Sequence, residues 1–239
     1  YQLVSMRAMI DFCARNREQF LRNFHTMAAE ALELPEHGAP FAYAIPPDQA
    51  DPGATARLLE IFSLTRCEIQ RAERSFNAGG RLFPENTLVL KTAQPYGRFI
   101  KDLLEIKPYP DLRKFPGGPP APPYDNAAWS LGPLMGVEVV ELREPFEASL
   151  ALLKDDPAAP ASSSGTLALL DCRDSNSFLA LNYLLASRAR VERYGEKVTA
   201  EGREWPAGAF LVEAPEKVLE HGDRCRVIAP SESDPDMVP

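Results

Sequence analysis

The sequence predicts an α/β protein: a mostly parallel sheet with helices on both faces, built from internally duplicated strand–helix–strand–hairpin units and preceded by a long N-terminal helix. Three observations predict it. Residues 76–84 (Phe-Asn-Ala-Gly-Gly-Arg-Leu-Phe-Pro) return at 198–206 as Val-Thr-Ala-Glu-Gly-Arg-Glu-Trp-Pro, an offset of 206 − 84 = 122, which marks a duplicated supersecondary unit. Around each copy, short apolar runs alternate with helical patterns, the signature of βαβ units. Residues 3–34 place Met6, Met9/Ile10, Cys13, Phe20/Leu21, Phe24, Met27/Ala28 and Ala31 three to four residues apart, the spacing of an amphipathic helix.

That helix is longer than a globular domain needs. Either it packs on its own domain, or it bridges to an upstream one. Phe41–Ile45 is an apolar run stopped by Pro46-Pro47, as a buried strand would be. Asp51-Pro52-Gly53 then supplies an N-cap and a proline at the first helical position, ahead of the apolar face Ala56, Leu59, Ile61/Phe62. Cys67–Ala72 follows as a second strand, so the pair is expected to form a right-handed parallel crossover. The repeated segment predicts a protruding hairpin whose glycines supply positive φ, with Arg81 and Arg203 solvating the turn. Thr87–Lys91 is a further strand and Tyr96–Ile106 a helix.

Residues 107–124 carry too many prolines for a regular element. Their flanking Tyr109, Phe115, Tyr124 and Trp129 favour a stiff loop wrapped over the domain rather than a bare linker. Val137–Leu142 reads as a strand and Phe146–Leu153 as a short helix. The boundaries are then a connecting helix at 1–34, a first α/β unit at 38–153, a linker or exposed loop at 154–165, a second unit at 166–229 and a frayed tail at 230–239. The second copy comprises strand Thr166–Asp171, helix Ser175–Ser187, strand Arg190–Tyr194, hairpin 197–206, strand Ala209–Glu213, helix Glu216–His221 and strand Cys225–Ala229.

A net charge of −8 argues against nucleic acid as a partner, and no apolar run reaches the ~20 residues of a membrane span. The four cysteines are scattered singly and the three histidines form no H-E-x-x-H, so buried free thiols are expected and no metal site. Ligands of open parallel sheets bind beyond the carboxyl ends of the strands. Those ends carry Asp48, Gln49 and Asp51 in the first copy, Asp171, Arg173, Asp174, Ser175 and Asn176 in the second, and Gln94 with Arg98 after the third strand. Asp48, Gln49, Gln94, Arg98, Asp171, Arg173 and Asn176 are the candidate ligand-binding residues. Against them stands the plainer role of Asp51, Asp174 and Ser175 as helix caps.

Cys172 sits at a strand-to-helix turn, where an α/β hydrolase or glutaminase places its nucleophile. Leu170 and Asp174 stand where G-x-S-x-G wants small residues, Asp174 disfavours a thiolate, and only His221 lies downstream as a base. No glycine-rich phosphate cradle is present. The chain therefore carries no catalytic residue that its motifs assign.

Two stretches, Tyr43-Ala-Ile-Pro-Pro-Asp-Gln-Ala-Asp-Pro-Gly and Ala93-Gln-Pro-Tyr-Gly-Arg-Phe-Ile-Lys-Asp-Leu-Leu-Glu, stand beside Pro-Gly-Gly-Pro-Pro at 116–120 and Tyr124-Asp-Asn-Ala-Ala-Trp-Ser-Leu. Together they resemble a region downstream of the catalytic domain in a subgroup of bacterial zinc carboxypeptidases. The opening helix, with Ala8-Met-Ile-Asp-Phe and Asn16-Arg-Glu-Gln-Phe-Leu, resembles the linking helix after that domain. In such proteins two histidines and a glutamate hold zinc and a second glutamate is the base. None of those motifs occurs here, so the resemblance implies no catalytic residue and no cofactor in this chain. Zinc belongs to the catalytic domain. The resemblance implies a non-catalytic accessory domain, like a class I glutamine amidotransferase domain in fold, whose partner is the peptidase domain of the same polypeptide and whose location is periplasmic or secreted. A degenerate thiol hydrolase using Cys172, or a small-molecule or sugar-binding module, are the alternatives.

Overall fold

The structure is a computed structural model that describes residues 1–38, 40–107, 110–122, 130–153, 167–200, 203–213 and 227–228. The chain divides into two compact units, one of residues 1–45, 62–130 and 139–152, the other of 46–61, 131–138 and 153–239.

The first unit is built on a five-stranded sheet. Its strands are β1 (Ala42–Ile45), β2 (Gln70–Ala72), β5 (Leu88–Lys91), β6 (Val140–Leu142) and β7 (Leu150–Leu152), in the order β6-β1-β5-β2-β7. Every pairing is antiparallel, so the expected mostly parallel sheet is overturned. The physical reason is an insertion. β1 and β2 do run in the same direction, but β5 lies between them and pairs with both. The predicted direct parallel crossover between β1 and β2 is thereby opened by one strand.

The second unit repeats the arrangement with β8 (Leu167–Leu170), β9 (Val191–Arg193), β12 (Phe210–Glu213) and β13 (Val227–Ile228), in the order β13-β8-β12-β9 and all antiparallel. Both sheets have the strand order and directions of the split βαβ, or ferredoxin-like, arrangement. The duplication is real and its register can be read strand by strand. Gln70 pairs with Val89 and Glu192 with Leu211, each shifted by 122. Ala42 pairs with Lys91 and Leu167 with Glu213, so the first strand is shifted by 167 − 42 = 125. The helices that follow these first strands, α3 (Pro52–Leu64, 13 residues) and α6 (Ser175–Ala186, 12 residues), and their entry turns absorb the difference.

The two hairpins, β3–β4 (Phe76–Ala78, Arg81–Phe83) and β10–β11 (Val198–Ala200, Arg203–Trp205), pair as two-stranded ribbons. In the first, Gly79 and Gly80 have φ of +55° and +74°, as a two-residue type I′ turn requires. The hairpins do not protrude. Phe76, Ala78 and Phe83 pack with Ala42, Ala44 and Val89 on one face of the first sheet. Val198, Ala200 and Trp205 cover Leu169 on one face of the second. Its other face, Ala168, Leu170, Phe210 and Val212, packs on Ala180 and Leu184 of α6. Burying Phe83 and Trp205 completely stabilises by roughly 2–3 kcal/mol each, a return that a protruding hairpin would forgo.

Three further expectations are corrected. The single N-terminal helix is two, α1 (Gln2–Arg15) and α2 (Arg17–Ala31). At Asn16 the backbone leaves helical geometry (φ −108°, ψ 20°) while its side-chain amide donates to Phe12 O at 2.8 Å, a competing bond of the kind that interrupts helices. Residues 146–153 hold strand β7 and no helix. Phe146, Ala148 and Leu150 alternate, and all three pack in the same cluster, the period of a strand. Between β5 and β6 lie α4 (Gly97–Leu104), where a helix was expected, and α5 (Leu131–Met135), where none was. The linker at 154–165, the helix at 216–221 and the tail at 230–239 lie outside the described residues.

Candidate functional site

The strand-end residues of the second unit gather at the start of two helices. Asp51 precedes α3, and its Oδ1 accepts from Ala54 N at 2.9 Å. That is an N-cap, as the Asp-Pro-Gly sequence predicts. The same oxygen accepts from Ser175 N at 3.1 Å and from Ser175 Oγ at 3.3 Å. Ser175 is the first residue of α6, so one carboxylate oxygen serves the first turns of both helices. Two helix N-termini each carry roughly half a positive charge, and bringing them together is favourable only with an anion between them. Asp51 is that anion.

Asp174 caps α6 in turn, accepting from Asn176 N at 2.9 Å, and is wholly buried. Gly53 seats the two helices. A Cβ there would lie 2.6 Å from Asn176 Nδ2 and 2.7 Å from Asp174 Oδ1, so no larger residue fits without displacing the cap. Asp171 is buried and held by Arg173 in a two-point ion pair, Nε to Oδ1 at 3.0 Å and Nη2 to Oδ2 at 2.7 Å. Hydrogen bonding to Asp171 pushes the Arg173 guanidinium further up, with Asp48 a lesser neighbouring charge.

Most of the candidate ligand residues make hydrogen bonds or ion pairs within the fold. Gln49 is buried, its amide donating to Pro46 O (2.8 Å) and Glu138 O (3.2 Å) and accepting from Glu138 N (2.9 Å). Gln94, in the first unit, does the same with Lys91 O (2.7 Å), Glu68 O (3.2 Å) and Glu68 N (2.7 Å). Both side chains donate to and accept from one backbone amide, as a neighbouring strand would. Arg98 reaches Glu30 of α2 at 3.2 Å on the surface. Asn176 is buried beneath the cap and Asp48 is exposed. The structure brings Gln49, Asp171, Arg173 and Asn176 into the unit that holds Asp51 and Ser175, and leaves Gln94 and Arg98 in the other.

Cys172 is half-buried and free, and its thiol donates to Ala207 O at 3.6 Å. No imidazole or carboxylate hydrogen-bonds to it among the described residues, and the one downstream histidine, His221, lies outside them. Burial pushes the Cys67 thiol up, away from the thiolate. Among the described residues no group of three or more His, Cys, Asp or Glu side chains could hold a metal ion, and no helix is long and apolar enough to cross a membrane.

Sequence reasoning singled out Asp51 and Ser175 as separate caps and missed their shared bond, which spans 124 residues. One signal was available: Asp48-x-x-Asp51 recurs as Asp171-x-x-Asp174 at an offset of 123, which marks the two helix entries as equivalent. The chain matches no protein-family model, no curated protein and no solved structure.

Proposed function

We infer that this chain is a non-catalytic accessory domain of a zinc carboxypeptidase-like protein, one that packs on the peptidase domain and shapes the access of peptides to it. The observation that carries the non-catalytic part is the consumption of the strand-end polar groups. Gln49, Gln94, Asp51, Asp174 and the Asp171–Arg173 pair are all committed to caps, backbone amides and one another. A catalytic constellation needs a nucleophile within reach of a base, and Cys172 bonds to a carbonyl instead. The resemblance of 41–136 to the region that follows such peptidase domains supplies the partner, and zinc is the cofactor of that domain.

The test is a deletion in a polypeptide that carries the peptidase domain ahead of Tyr1. Removing 40–239 should leave zinc content and the turnover of short blocked dipeptides unchanged, while altering KM for longer peptides. Loss of zinc or of turnover on every substrate alike would contradict an accessory role.

A further inference from the structure

We draw no further inference here: the strongest candidate, the outer edge of β9 in the second sheet, the counterpart of the β2 edge that β7 closes in the first, carries nothing because no described residue shows what covers it.

Discussion

Asp51 Oδ1 and Ser175 N lie 3.1 Å apart, and through that bond the first turns of α3 and α6 share one carboxylate. Asp51→Ala removes the cap of α3 and strips Ser175 of its acceptor, and is expected to cost about 2–3 kcal/mol of unfolding free energy. Ser175→Ala, which keeps the backbone bond, should cost less than about 1 kcal/mol. Chemical denaturation of both single variants and the double should show a coupling of up to about 1 kcal/mol, the part of the contact that the Ser175 hydroxyl carries. Strict additivity would mean that the hydroxyl bond to Asp51 contributes nothing.

Gly53→Ala forces a methyl group to within 2.6 Å of Asn176 Nδ2, and about 1–3 kcal/mol of stability should be lost. In an Asn176→Ala background the same substitution should cost less, because one of the atoms it strikes is gone. Equal losses in both backgrounds would show that Asn176 is not what Gly53 makes room for.

Gln49→Leu and Gln94→Leu keep side-chain bulk but remove the side-chain hydrogen bonds to the backbone of Glu138 and Glu68. Each should lower stability by about 1–3 kcal/mol with no ligand in the sample. Unchanged melting curves would contradict a structural role for these two glutamines.

Tyr43 is buried opposite Glu141 in the strand pair β1–β6, and its hydroxyl has no partner among the described residues. Burial first, then the charges of Glu141 and Glu105, push its ionisation well above the ordinary 10.0. A folded-state value raised in this way gives stability that is complete below pH 10 and lost as the pH climbs beyond it, because only the unfolded chain ionises there. Tyr43→Phe should be neutral or mildly stabilising at pH 7 and should lessen the alkaline fall in melting temperature above pH 10. An identical alkaline limb in the variant would contradict the burial of this hydroxyl.

The sequence carried the local features and not the pairings. Asp51-Pro-Gly announces a helix start, Gly79-Gly80 a tight hairpin, and the recurrence of 76–84 at 198–206 a duplication. Each depends on a few adjacent residues. The antiparallel sheet depends on where β5 and β12 go. An apolar run such as Leu88–Lys91 has no mark that says it will enter between two strands already joined by a helix. Gln49 and Gln94 were found as polar groups near strand ends, yet their partners stand 89 and 26 residues away, so their structural role was invisible locally. The bend at Asn16 and the alternation Phe146, Ala148, Leu150 were legible, since both are short-range signals, and a strong helical pattern on one side and a short apolar run on the other concealed them.

Whether this chain performs chemistry of its own is decided by offering it a panel of blocked and free peptides and glutamine, with zinc supplied, beside a Cys172→Ala control. Neither protein is expected to turn over any member of the panel. Turnover by the unaltered chain that the Cys172→Ala substitution abolishes, or that a chelator abolishes, would contradict that expectation.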